Sequence, residues 1–329
     1  VTEPGQLRWQ LADEGRADGQ GALFSSDELV TTERGTGRLS GLEFLHVHAR
    51  RIINELPAAS RMPFRFTINA YRGCSHACTY CFARPSHAYL GLDIGADFER
   101  RLVVKVNAVE RLRAELRSAR WAGDPIAMGT NTDPYQRCEG KYRLTRGLVE
   151  VLGAAANPFS ILTKSALVLR DLDVLAAAAR RTEVRVNLSI GTLDEQVWRA
   201  TEPGTPHPLR RVAAVRQLNE AGVRAGVLIA PVLPGISDSA AQLEAVVGAC
   251  VEAGAVSVST IYLHLRPGIR EHFFGWLAAH DPALAADYQR RYQRAYLPNG
   301  TQQALAAQVR RLVEQARARH PAPAAPQSA

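Results

Sequence analysis

Between residues 60 and 280 the chain alternates short β-like runs with amphipathic helical runs, and that alternation limits the folds open to it. The strand runs are 65–71, 125–130, 159–163, 183–190, 224–231 and 256–264, each rich in branched or aromatic residues and bounded by Gly, Pro or polar residues. Helical runs lie between them. Leu102, Val106, Val109, Leu112 and Leu116 recur at helical spacing with arginines on the other face, and 148–156, 171–180, 209–221 and 239–253 follow. Asp171 and Ser239 are the expected N-caps, and Gly222 and Gly254 the expected C-terminal stops. Six β-α units in a row predict an α/β fold, a parallel sheet with its helices outside. A doubly wound open sheet and a β/α barrel both satisfy the pattern.

Directly after the first strand run comes Gly73-Cys74-Ser75-His76-Ala77-Cys78-Thr79-Tyr80-Cys81-Phe82. Three of the chain's five cysteines fall there, spaced C-x3-C-x2-C. Thiolates so close together can hold one polynuclear iron cluster while the backbone wraps it as a short loop. A closed electron-transfer [4Fe-4S] site takes four cysteines, one per iron. Three leave one iron open, which implies a ligand that takes part in chemistry. A structural zinc site wants four closed ligands; His76 would have to supply the fourth from within the same tight loop, and no second C-x2-C pair follows. Disulfides fit poorly, because Cys138 and Cys250 are isolated and no secretion signal is seen.

The cysteine run resembles the signature of the radical S-adenosylmethionine (SAM) enzymes, C-x3-C-x-Φ-C, with Tyr80 at the aromatic position. The resemblance implies a partial (β/α)6 barrel over residues 60–280 and a [4Fe-4S] cluster on Cys74, Cys78 and Cys81, with SAM chelated to the open iron beside Tyr80. It also implies reductive cleavage of SAM to a 5′-deoxyadenosyl radical, and an electron donor such as flavodoxin or ferredoxin. In a barrel of parallel strands, polar residues at the C-terminal strand ends converge on one mouth. Thr130 and Asp133, in Gly129-Thr130-Asn131-Thr132-Asp133-Pro134-Tyr135, stand where the superfamily has a glycine-rich GGE segment; they suit the SAM ammonium group, and a strand-ending turn at Pro134 is the other reading. Lys164, at the end of the third strand run, suits the SAM carboxylate as a point charge, or is simply solvated. Asn187 and Ser189 share one side of the fourth run and suit the ribose hydroxyls. Glu202, in a polar loop with Arg210, suits a ribose or a substrate. The apolar Ala230–Gly235 segment reads as an adenine wall or a buried turn.

Thr-Asp-Pro-Tyr, Thr-Lys, Ser-x-Gly-Thr and Pro-Val-Leu-Pro-Gly after successive strands resemble the branch that contains spore photoproduct lyase and uncharacterised proteins labelled DNA repair photolyase. Lys164 and Ser189 match positions that contact SAM in that branch. The hydrogen-donor cysteine of the lyase has no counterpart; Thr130 stands in its place, and Cys138 lies a few residues beyond, in a loop.

Lys and Arg number 40 against 32 Asp and Glu, a net charge of +8 that suits nucleic acid or another polyanion as partner. An Arg-rich, Ala-rich composition gives the same excess with no such partner. A peptide substrate is the main rival, although no second cysteine cluster is present, and a non-catalytic iron–sulfur sensor is a third reading. Tyr288, Tyr292 and Tyr296, interleaved with Arg290, Arg291 and Arg294, suit stacking on bases or docking of a helix on the barrel. His264, His272 and His280 read as ordinary histidines and Cys250 as a small buried hydrophobe. Residues 1–40 read as an irregular arm, 281–319 as a helical C-terminal extension, and 320–329 as a Pro/Ala tail that does not pack. No stretch approaches the roughly 20 apolar residues of a membrane span, and no apolar leader is seen. The expectation is a soluble cytoplasmic protein without a membrane partner, a monomer or weak dimer.

Overall fold

The computed structural model describes residues 28–60 and 62–319. The expectations for residues 1–27 and for the 320–329 tail lie outside the described residues. In chain order the strands are β1 (Glu28–Arg34), β2 (Glu43–His48), β3 (Ile53–Glu55), β4 (Phe66–Ile68), β5 (Tyr71–Arg72), β6 (Arg101–Lys105), β7 (Ile126–Met128), β8 (Phe159–Thr163), β9 (Val184–Ser189), β10 (Arg224–Val232) and β11 (Val258–Tyr262). The helices are α1 (Ala96–Arg100), α2 (Ala108–Leu116), α3 (Glu139–Tyr142), α4 (Leu144–Ala154), α5 (Leu172–Ala179), α6 (Glu195–Thr201), α7 (Pro208–Glu220), α8 (Ala240–Glu252), α9 (Ile269–His280), α10 (Pro282–Arg291) and α11 (Asn299–Arg319).

The main sheet runs β3-β4-β7-β8-β9-β10-β11. From β4 to β11 each strand pairs parallel with the next, and β3 joins antiparallel at one edge. A doubly wound sheet reverses its strand order at a switch point; this one never does. It is a partial barrel, and all six parallel strands deliver their C-terminal ends to one rim. Alternation within the strands decides which residues face that interior. Val184, Val186 and Leu188 of β9 are buried in the core with Val215 and Leu218 of α7, which packs on β9 and β10. Ser189, the last residue of β9, is turned toward the rim instead. Beyond β11, α11 packs against that strand and against α8. No helix among the described residues is long and apolar enough to cross a membrane.

Several local expectations need correction. The first strand run splits: β4 ends at Ile68, and Tyr71 and Arg72 cross into a second, smaller sheet, β1-β2-β6-β5, where they pair antiparallel with Val104 and Val103. The cysteine loop therefore springs from the small sheet rather than directly from a barrel strand. Leu102 belongs to β6, not to a helix running through Leu116. Leu102, Val103 and Val104 are all buried, and a short apolar run like this has no periodicity to tell strand from helix. Residues 28–34, expected within the irregular arm, form β1, paired with β2 in an antiparallel hairpin. Its few apolar residues hid it, since Val30 on this edge strand is 50% exposed. Asp171 makes no cap bond; its buried carboxylate takes Arg170 at 2.6 Å and Arg146 at 3.3 Å. Ser239 does cap α8, in a reciprocal capping box with Gln242. Gly222 and Gly254 end α7 and α8 with positive φ.

Gly129 (φ +89°) closes β7 where a Cβ would run into the carbonyl oxygen of Leu162, whereas at Gly222 (φ +80°) a Cβ would meet nothing within 4 Å. Gly222→Ala is expected to cost about 1 kcal/mol, the left-handed penalty alone. Gly129→Ala is expected to cost more than about 3 kcal/mol, because backbone must move as well. Urea midpoints of the two variants check this; equal losses would show that the strand junction yields freely.

Candidate active site

The cysteine loop is fastened on every side by backbone bonds and small residues. Gly73 enters it at φ +75°, where a Cβ would lie 2.8 Å from both the His87 ring and the Phe98 carbonyl oxygen. The Gly73 carbonyl accepts from Thr132 Oγ1 at 2.6 Å and from Gln136 Nε2 at 3.0 Å, and Gln136 Oε1 accepts from the Ser75 amide at 3.0 Å. On the far side, Thr79 N donates to Thr201 O and Gly204 N to His76 O, both at 3.0 Å. Arg84, fully buried, donates twice to the Cys78 carbonyl and also to Ile94 O, Gly95 O and Glu99. The loop therefore keeps its shape without help from its three thiols, which form no disulfide.

Those thiols, Cys74, Cys78 and Cys81, are close enough to sense one another's charge. Burial pushes all three pKa values up; Asp133 and the other two cysteines add to the rise at Cys74, and Glu202 adds to it at Cys78. Lys164 opposes the rise at Cys78 and Cys81, with Arg211 helping at the first and Arg84 at the second.

Two buried carboxylates organise the rim around the loop. Asp133 accepts from Tyr135 N (2.8 Å) and Thr163 Oγ1 (2.6 Å) on one oxygen, and from Lys164 N (2.7 Å) on the other, with His76 Nδ1 3.3 Å away. Burial alone would raise its pKa, but His76 and these hydrogen bonds win and hold it below its ordinary value. Three hydrogen bonds and the His76 contact take up most of the roughly four acceptor sites of an ionised carboxylate, and Asp133 braces the loop and the end of β8.

Glu202, at the end of α6, is the second anion. It accepts from Lys164 Nζ (2.9 Å), Arg211 Nη2 (2.6 Å), Thr205 Oγ1 (3.3 Å) and the Tyr80 hydroxyl. Burial opposes its ionisation, yet Arg211 and Lys164 drive its pKa well below the carboxylate range. Lys164 Nζ spends its other two donors on Ser189 Oγ (2.8 Å) and Ala230 O (3.2 Å) and sits 5.4 Å from the centre of the Tyr80 ring. Arg211 also donates to Ser189 O, Pro206 O and Thr205 Oγ1. Two cations share one carboxylate here, beside Cys78.

The structure thus brings Tyr80, Lys164, Ser189 and Glu202 into one network and puts Asp133 next to it. Thr130 stands apart on the neighbouring strand end, where its hydroxyl accepts from Asn69 Nδ2 at 3.2 Å. Arg210, named with Glu202 from the sequence, has no part in the network; Arg211 does. His76, weighed from the sequence only as a zinc ligand, pairs with Asp133 instead, and Arg84, Gln136 and Arg211 carried no expectation. Arg211 carried a signal, since it shares the buried face of α7 with Ala214, Val215 and Leu218. Cys138 and Cys250 are fully buried in the core, so neither thiol reaches the rim. Tyr288 and Tyr292 are buried in docking contacts while Tyr296 stays exposed.

Among the described residues no three His, Cys, Asp or Glu side chains converge as ligands of one metal ion. A cubane takes one thiolate per iron, so its ligands stand apart. A loop of three uncommitted thiols, with Lys164, Arg211 and Arg84 near enough to favour their ionisation, fits that anionic group.

Residues 68–244 match the family model described as the Radical SAM superfamily. An uncharacterised protein of Mycobacterium tuberculosis is 43% identical over 277 residues, 84% of this chain and 82% of the relative. One from Methanocaldococcus jannaschii is 29% identical over 201 residues, 60% of this chain and 71% of the relative. Among solved structures, a spore photoproduct lyase mutant with dinucleoside spore photoproduct superposes with a TM-score of 0.61 at 17% identity, covering 83% of this chain and 79% of that one. Another mutant of that lyase, with bound AdoMet and the same dinucleoside, gives 0.57 at 18% identity with the same coverage of both chains. At such identity the likeness is one of fold. The family match spans more than half of the chain, and with the mycobacterial relative it makes this protein a member of the radical SAM superfamily, which implies a [4Fe-4S] cluster and SAM as its cofactors.

Proposed function

We propose that this protein is an enzyme that binds a [4Fe-4S] cluster through Cys74, Cys78 and Cys81 and SAM in the strand-end pocket beside it, and that it removes a hydrogen atom from a C–H bond of its substrate. The observation that carries this reading is the meeting, on one rim, of three uncommitted thiols and a network in which Lys164 and Arg211 both pair with Glu202. Cluster and SAM together supply a 5′-deoxyadenosyl radical by one-electron reduction of the sulfonium. The protein's part is to hold both and to keep water out.

The three thiols, raised in pKa by burial, give up their protons when metal takes their place. Lys164, which is partly exposed, suits the carboxylate of SAM by exchanging one of its present acceptors for it, with Tyr80 supporting it from its ring face and Arg211 keeping Glu202 paired. The Ser189 and Thr130 hydroxyls are neutral polar groups at the strand ends on either side of β8. Asp133 acts at one remove, by positioning His76 and Lys164. A lyase-type reaction that returns hydrogen from a cysteine finds no support in Cys138 or Cys250, both shut in the core.

The test is anaerobic reconstitution with iron and sulfide, then dithionite and SAM, with 5′-deoxyadenosine quantified by chromatography. Cys78→Ala is expected to lose both the cluster and 5′-deoxyadenosine formation; undiminished product from that variant would sink the assignment. Lys164→Ala is expected to keep its iron while SAM cleavage falls about ten- to a hundredfold, the worth of one hydrogen bond to a charged group. Glu202→Gln leaves two buried cations without their anion and is expected to destabilise the protein by about 3–5 kcal/mol, read from the denaturant midpoint before any metal is added. A melt like that of the unsubstituted protein would mean that water already reaches this network.

A further inference from the structure

We propose that Phe82, His264 and Tyr296 form a stacking platform beside the cysteine loop that receives an unpaired base of a single-stranded nucleic acid. The inference names the substrate class of the enzyme proposed above, and rests on that reading only for what the bound base is presented to.

Three segments far apart in sequence meet to build the platform. Phe82 directly follows Cys81; His264 follows the end of β11 on the rim; Tyr296 follows α10. The Phe82 and His264 rings have centroids 5.6 Å apart at 37°, and His264 and Tyr296 stack at 5.2 Å and 15°. The amide of Leu265 donates to Ala295 O at 2.7 Å and ties the last two segments together. Docking of the C-terminal region does not account for the outer rings. That work falls to Tyr288 and Tyr292, both fully buried, the latter donating to Leu263 O at 2.9 Å. Phe82 and Tyr296 are instead 49% and 46% exposed. Two large rings held in place and open to water form a surface for another flat ring. Burial and Arg266 both push the pKa of His264 down, which keeps the middle ring neutral.

The charge around the rings selects the kind of ligand. Arg290 and Arg291, on α10, share the carboxylate of Asp287. Arg266, Arg270 and Arg294 make no ion pair with a carboxylate among the described residues. Arg266 donates to the Tyr296 hydroxyl at 3.1 Å, and Arg270 to the Arg294 carbonyl at 3.1 Å. The Arg266 guanidinium at the Tyr296 hydroxyl, with Arg270 tied to the segment that carries Tyr296, matches bases joined by phosphates. A peptide aromatic would use the rings and leave these charges idle. A paired base has both faces occupied in the duplex, so a single strand fits better.

The experiment is fluorescence anisotropy of labelled oligothymidylate, its duplex with oligoadenylate, and an aromatic-rich peptide on the reconstituted holoprotein across a salt series. Oligothymidylate is expected to bind more tightly than the duplex or the peptide, and less tightly as salt rises. Phe82→Ala and Tyr296→Ala are each expected to weaken it about tenfold with iron content and melting unchanged. Arg266→Gln is expected to flatten the salt dependence. Unchanged affinity in both aromatic variants overturns the platform, as does equal binding of the duplex, preference for the peptide, or no binding at low salt by protein that cleaves SAM. Platform-dependent binding by protein that never cleaves SAM would defeat the radical reading and leave the platform standing.

Discussion

Glu202 has almost no contact with water, and three separate parts of the molecule must be in place before its charge is satisfied. Tyr80 reaches it from the cysteine loop, Lys164 from the end of β8, and Arg211 from α7. A buried carboxylate that loses such partners is costly, so loop, barrel strand and outer helix are positioned together or not at all. The backbone repeats the connection. Thr79 pairs with Thr201, one residue before Glu202, and His76 with Gly204, two residues after it. Gly204 lies so close to Ser75 and His76 that no side chain fits there.

Asp133 performs the same service on the opposite side of the loop, and the division of labour follows from how many donors each carboxylate has. Asp133 receives only hydroxyl and amide groups and the His76 ring, and it works as a brace. Glu202 receives two full cations, and these, Lys164 and Arg211, oppose the rise that burial and Glu202 impose on the Cys78 thiol. A loop prearranged by its own bonds, with its sulfurs unspent and a positive neighbour, loses little entropy when a ligand arrives.

Much of this was legible in the sequence, for identifiable reasons. Cysteine spacing is local, so the loop could be read directly. The strand order follows from an uninterrupted run of β-α units, and Lys164 and Ser189 were visible because a parallel barrel gathers strand ends. Other parts depend on contacts that no local pattern records. Arg84 is buried because four acceptors on three segments surround it. Gln136 is buried because a loop fifty residues or more away needs its amide. Leu102, Val103 and Val104 were misread because a short apolar run suits a helix and a strand equally, and pairing with β2 and β5 decided the matter. Arg211 was the avoidable miss. An arginine in phase with Ala214, Val215 and Leu218 on the buried face of α7 needs an anion, and Glu202 lies only a few residues earlier in the chain.

The same packing that fixes the cysteine loop also fixes the C-terminal helices. Cys78 and Tyr80 share an apolar cluster with Leu263, Leu265, Phe273, Tyr288, Tyr292 and Leu297. The platform residues His264 and Tyr296 are each next in sequence to members of that cluster, and Phe82 is next to Cys81, which packs against it. A displacement of α9 or α10 would therefore be felt at the loop. Exposed rings on such a base can be exchanged without disturbing what lies beneath, because they contribute contact area at the surface and none to the core. Chemistry and recognition are in this way joined mechanically but separable by substitution, as expected of a fold that keeps one reaction centre and varies what is brought to it.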